Sequence, residues 1–202
     1  DKSGNTLKSQ SIDFSGRGIV VAHLVNTPPA LTNSSDISID VQVDGDGDGV
    51  VDGTDLGFYK YRLDSGLWSD ELSETTDIVD TEISTAGNDE THTLSVLARN
   101  AEGRWQDEPT TFTWRIDRKS PESDDLVLTG LPDSVTAQNS AEITVGGAEI
   151  AAYKYRLAAD EWSDEIPATT PITLADLEGD PPADYSIQIV GRDAAGNWQP
   201  ES

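Results

Sequence analysis

The chain repeats itself, and that repeat limits its possible folds more than any other feature of the sequence. Tyr59-Lys60-Tyr61-Arg62-Leu63 returns as Tyr153-Lys154-Tyr155-Arg156-Leu157. In each copy Trp-Ser-Asp-Glu follows the tyrosine block at the same spacing, at Trp68–Glu71 and at Trp162–Glu165. A third pair comes later. Leu94-Ser95-Val96-Leu97-Ala98-Arg99-Asn100 leads to Gly103, Trp105 and Gln106, and Ile187-Gln188-Ile189-Val190-Gly191-Arg192-Asp193 leads to Gly196, Trp198 and Gln199. Matched blocks in one order, with nearly constant offset, are the mark of tandem structural units.

The blocks alternate with period two. Ile37, Ile39, Val41 and Val43 share one side of an extended chain, with Ser38, Asp40 and Gln42 on the other. Tyr59, Tyr61 and Leu63 repeat the pattern, as do Leu94, Val96 and Ala98, and Ile143 and Val145. Such alternation, broken by Gly, Pro, Asn and Asp, specifies half-buried antiparallel strands, and no stretch carries a helical period. About seven short strands in roughly 90 residues is the rhythm of an immunoglobulin-like sandwich. The predicted fold is all-β: two tandem immunoglobulin-like antiparallel β-sandwiches, at 19–118 and 119–202, after an N-terminal extension at 1–18.

Four segments sharpen this. "NTPPALTNSSDISIDV", "YKYRLDSGLWSDE", "ARNAEGRWQ" and "TTFTWRIDRKSP" together resemble the bacterial immunoglobulin-like repeats that form arrays in large secreted and surface proteins. The resemblance covers nearly the whole chain. It implies a bacterial cell-surface or extracellular setting and a spacer or adhesive role, with a glycan or protein receptor left open and no catalysis.

Between two strands of the first copy lies Asp44-Gly45-Asp46-Gly47-Asp48-Gly49-Val50-Val51-Asp52-Gly53-Thr54-Asp55. It fits the twelve-residue calcium loop: acids at positions 1, 3 and 5, glycine at 6, a backbone carbonyl at 7, and acids at 9 and 12. The candidate ligands of Ca2+ are therefore Asp44, Asp46, Asp48, Val50, Asp52 and Asp55. The last acid is Asp where helical versions carry Glu, which shortens its bidentate reach. The loop also resembles that of dockerins, but those carry two, and the residues after this one duplicate a segment of the second copy that has no loop. It reads as an insertion in a β-connection.

The copies differ at their ends as well. Thr110–Asp117 closes the first copy as an alternating strand, with Phe112, Trp114 and Ile116 on its inner side, and the second copy shows no equivalent. Near the N-terminus, Ser11, Ile12, Asp13, Phe14 and Ser15 alternate as a closing strand does. These residues are expected to act as a donor strand that completes the second sandwich of a neighbouring subunit. A head-to-tail contact of that kind propagates into an extracellular filament.

Charge and residue usage narrow the partners. The 38 acidic and 13 basic residues give a formal charge of -25. So negative a surface repels phosphate backbones and anionic lipid, which argues against nucleic acid, while it attracts divalent cations. No apolar run is long enough to insert in a membrane. With no cysteine there are no disulfides and no thiolate chemistry. His23 and His92 fall in no metal or triad pattern. Trp68, Trp105, Trp162 and Trp198 recur at equivalent places, which favours packing or turn anchoring over sugar stacking.

Overall fold

In a computed structural model of the chain, the described residues are 19–52, 55, 57–81, 83, 87–158, 160–177 and 184–201. The donor-strand candidates Ser11, Ile12, Asp13, Phe14 and Ser15 lie outside them. The first copy contributes β1 (Val21–Val25), β2 (Leu31–Thr32), β3 (Ile37–Asp44), β4 (Gly57–Leu63), β5 (Leu72–Ser73), β6 (Ile78–Asp80), β7 (Asp89–Asn100) and β8 (Thr110–Asp117). The second contributes β9 (Val127–Thr129), β10 (Ala141–Gly146), β11 (Ala152–Leu157), β12 (Ile166–Pro167), β13 (Ile172–Leu174) and β14 (Ile187–Arg192). Among the described residues the one helical element is a single 3-10 turn at Ser123–Asp125. No helix there is long and apolar enough to cross a membrane.

The strands pair as the repeat requires. In the first copy β1-β3-β6 form one sheet and β2-β8-β7-β4-β5 the other. In the second copy the sheets are β9-β10-β13 and β12-β11-β14. Strand for strand, β1, β3, β6, β4, β5 and β7 correspond to β9, β10, β13, β11, β12 and β14. Except for β2 on β8, which is parallel, the registered pairs are antiparallel. The all-β immunoglobulin-like sandwich predicted from the sequence is thus the fold of the chain.

Contact density divides the chain along a different line from the repeat. One compact unit takes β1, Asp40–Asp77 and Ser95–Thr111. The other takes Asn26–Ile39, Ile78–Leu94 and the chain from Phe112 onward. Strands β3, β7 and β8 run through both. In the first unit Val41, Val43, Tyr59, Val96 and Ala98 are fully buried. In the second, Ile143, Val145, Tyr153 and Ile172 form a core against which Leu126, Leu128, Ile187 and Ile189 pack.

Each copy hangs its second sheet on a buried tyrosine. The Tyr59 hydroxyl donates to the Thr76 carbonyl, and the Tyr153 hydroxyl donates to the Thr170 carbonyl at 2.7 Å. A buried ring with a polar tip needs such an acceptor, and the turn after β5 or β12 supplies it. Burial, reinforced by Tyr61, Asp77 and Asp40, pushes the Tyr59 phenol up to about 12. Burial also raises Tyr153, with Tyr155 adding to it.

The sign of the resulting pH dependence is fixed. An unfolded tyrosine ionises near pH ~10, so the protonated folded forms contribute fully below that and lose their contribution as pH rises towards 12. Denaturant titrations across this window should show stability falling, with tyrosinate absorbance appearing late. The double variant Tyr59→Phe/Tyr153→Phe should flatten the curve there, at a cost of about 1 kcal/mol per lost hydrogen bond near neutrality. An unchanged alkaline slope in that variant would rule these two phenols out as its source.

Candidate metal centre

The acidic loop leaves the end of β3 and returns to the start of β4, so both its ends are held in sheets. Asp44, the last residue of β3, pairs with Val21 of β1 and is buried, as is Gly45. At the far end Gly57 lies so near Val43 that a Cβ there would sit 2.6 Å from the valine's own Cβ. Only glycine lets the two strand ends approach this closely.

Inside the loop the carboxylates curl the backbone around themselves. Asp44 accepts from the Gly47 N–H through Oδ1 at 2.6 Å and from the Gly49 N–H through Oδ2 at 3.0 Å. Asp46 accepts from the Asp48 N–H at 3.1 Å, and Asp48 from the Val50 N–H at 2.8 Å. Inside these Asx turns Gly47 and Gly49 adopt left-handed backbone, with φ of 76° and 86°, which glycine takes without steric cost. The winding brings carboxylate oxygens of Asp44, Asp46 and Asp48 within 4.8 Å of one another, and this group can hold a metal ion.

Asp55 takes a different position from these three. It is 4% exposed. Its Oδ1 accepts from the N–H groups of Gly45 at 2.9 Å and Asp46 at 3.3 Å, and its Oδ2 from Asp52 N–H at 2.9 Å. Both oxygens thus hold the loop's two halves together. Asp52 and Val50 are both exposed, and the Asp52 carboxylate is not part of the Asp44, Asp46, Asp48 group.

Sequence reasoning passed over the turn beside the loop. The Asn100 side chain donates through Nδ2 to the Gly45 carbonyl at 3.0 Å and accepts through Oδ1 from the Arg104 N–H at 2.9 Å. Its counterpart Asp193 accepts from Gly196 and Asn197 N–H groups and from the Asn197 side chain. The exchange of Asn100 for Asp193, in turns that differ besides only at Glu102/Ala195 and Arg104/Asn197, was the available signal.

The repeated aromatic and basic residues also find their purpose. The Lys60 ammonium lies 5.3 Å from the Trp68 ring centroid and 4.6 Å from that of Trp105, and the Arg62 guanidinium lies 4.8 Å from Trp68. Lys154 lies 5.1 Å from both Trp162 and Trp198, and Arg156 lies 4.6 Å from Trp162. Arg99 and Arg192 complete the two ladders, each 5.8 Å from a tryptophan and each paired with a glutamate, Glu71 and Glu165. Cations over indole rings contribute packing and electrostatic attraction together. The four indoles are half-buried turn anchors.

No protein-family model and no curated protein matches the chain. Among solved structures, it is similar to a two-domain fibronectin type-III segment of chicken tenascin, at 16% identity over 88% of this chain and 93% of that one, with a TM-score of 0.30. It is also similar to a structure from work on host cell surface retention of a 1.5-MDa bacterial ice-binding adhesin. That match has 11% identity, 90% and 62% coverage, and a TM-score of 0.45. A third match is an α-L-rhamnosidase of Streptomyces avermitilis, at 10% identity, 90% and 24% coverage, and a TM-score of 0.33.

The loop geometry separates Asp55, which holds the loop's two halves together, from the converging Asp44, Asp46 and Asp48 carboxylates. Asp55→Ala leaves three backbone N–H groups without their acceptor and should cost about 1–3 kcal/mol in chemical denaturation with a chelator present. Asp48→Asn keeps an acceptor for Val50 and sits at the surface, so without metal it should cost no more than about 0.5 kcal/mol. Equal losses in the two variants would refute the division.

Proposed function

We propose that the chain is a non-catalytic structural segment of a bacterial surface or secreted protein, in which Ca2+ bound by the Asp44–Asp55 loop stiffens the first sandwich. One observation carries this reading. The same frame of buried tyrosine, cation–π ladder and Arg–Glu pair is built twice, and the copy bearing the acidic insertion winds it into a group of three converging carboxylates. A frame built twice in one chain suits a scaffold. Oxygen-only donors on a glycine-rich curl suit a hard cation of calcium's size. Weak extracellular calcium modules bind in the range of about 10⁻⁴–10⁻³ M, the regime expected for a site exposed on one side.

Calorimetric titration should detect one calcium per chain, with Asp46→Asn and Asp48→Asn abolishing the heat. A ligand at a hundredfold excess over its Kd stabilises by about 2.7 kcal/mol, so saturating calcium should raise the Tm of the wild type and leave those variants unmoved. Identical melting with calcium and with chelator would end the reading.

The donor-strand filament has its own support. In the first copy β7 carries β8 on its outer side. In the second, Gln199 N–H begins the same path by donating to the Gly191 carbonyl, and Trp198 bridges Arg192. Along the rest of β14, among the described residues, β11 is the one neighbouring strand. An open edge of this kind accepts an added strand, and the alternating Ser11–Ser15 segment of a second chain is the proposed occupant. Sedimentation of the full chain should show head-to-tail polymers that disappear when residues 1–17 are deleted. Polymers that persist after the deletion, or a monomer at every concentration, would exclude this mode of assembly.

A further inference from the structure

The turn that follows β7 holds different things in the two copies, although both keep Ala, Gly, Trp and Gln at matching places. In the second copy Asp193 is buried and spends its carboxylate on the turn itself: both the Gly196 and Asn197 N–H groups donate to Oδ1, at 2.7 and 2.8 Å. Aspartate has no donor to offer outward. In the first copy the amide of Asn100 divides the work. Its Oδ1 closes the turn on Arg104, and its Nδ2 reaches across to the Gly45 carbonyl.

Gly45 is where this reach matters. It is buried, it lies between two of the converging aspartates, and its N–H is already held by Asp55. Asn100 holds the same peptide chain from the carbonyl side. A Cβ at Gly45 would meet the Asn100 Cβ at 3.4 Å, an ordinary van der Waals contact that shows how directly the two residues face each other. With Asp55 on one side and Asn100 on the other, the entry of the acidic loop is gripped between its own far end and the β7 turn.

We infer that Asn100 is a positioning residue that latches the acidic loop to the turn after β7 and sets the loop's affinity for its cation. The affinity part rests on the calcium reading above; the latch does not. Ordering the loop before the cation arrives lowers the cost of binding, and outer contacts of this kind are typically worth about 10–100-fold in metal affinity. The turn also carries Trp105, the tryptophan shared by Lys60 and Arg99, so the latch joins the loop to the cation–π ladder of the same unit.

Two variants of the full chain test this. Asn100→Asp installs the residue the second copy uses, so the turn keeps its acceptor for Arg104 while the donor to Gly45 is lost. Asn100→Ala removes both without adding charge near the site. Hydrogen exchange in chelator should show the Gly45, Gly47 and Gly49 amides exchanging at least tenfold faster in both variants. The Arg104 amide should stay protected in Asn100→Asp and lose protection in Asn100→Ala. Calcium titration of Asn100→Ala should show about a tenfold weaker Kd. Loop amides that exchange at the wild-type rate in Asn100→Asp overturn the latch, whatever calcium does. A wild type that takes up no calcium overturns the metal reading and leaves the exchange data to judge the latch. An unchanged Kd in Asn100→Ala, with calcium binding intact in the wild type, overturns the affinity role.

Discussion

Each sandwich is organised around one tyrosine that is entirely buried yet must satisfy a hydroxyl. Tyr59 and Tyr153 sit on interior strands of their sheets with no exposed surface, and each phenol finds a backbone carbonyl seventeen residues further on. That requirement fixes more than a hydrogen bond. It sets where the chain must turn after β5 and after β12, and so where the next strand enters the opposite sheet. A buried hydroxyl without its acceptor costs about 1–3 kcal/mol, a large share of the stability of a domain with so modest an apolar content. The neighbouring residues of the same block then decorate the outside: Lys60 and Arg62, or Lys154 and Arg156, cover the tryptophans of two turns. One five-residue motif thereby anchors the inner face and the outer face of its strand at once.

Seen this way, the strand pattern was legible because period two and burial coincide. Ile37, Ile39, Val41 and Val43 are buried while Ser38 is exposed and Asp40 and Gln42 are half-covered, as alternation requires. Trp114 and Ile116 are buried on β8 with Phe112 partly so, which follows the inner set read from the sequence. The acidic loop was legible too, since glycine and aspartate at fixed spacing constrain each other. What spacing did not disclose was the separate task of Asp55. A carboxylate at the twelfth position reads as a ligand, and this one is also buried and accepts from three backbone N–H groups. Asn100 was hidden for the converse reason. Its role depends on a peptide brought near by the fold, and in sequence it differs from Asp193 by a single amide. The division by contact density was likewise invisible, because a repeat records how a chain was duplicated and carries no information on which strands lie closest.

The carboxylates of the loop pose the sharpest electrostatic question. Three of them bring ligand oxygens within 4.8 Å of one another on a chain whose net charge is already -25. Like charges at that distance repel by about 1 kcal/mol per pair in water, and about 3 at an effective dielectric near 20. The backbone N–H groups of Gly47, Gly49, Asp48 and Val50 offset part of that repulsion, and they do so by orienting each aspartate to a different peptide. These dipoles are partial charges, and they do not neutralise three anions. A divalent cation would offset two of the three charges directly, with oxygen donors and no need for a thiol or imidazole. The repulsion that strains the free loop is therefore the same quantity that would favour its occupant. The hydrogen bonds that Asp55 accepts and Asn100 donates then act before binding, by preventing the loop from relieving that repulsion through opening.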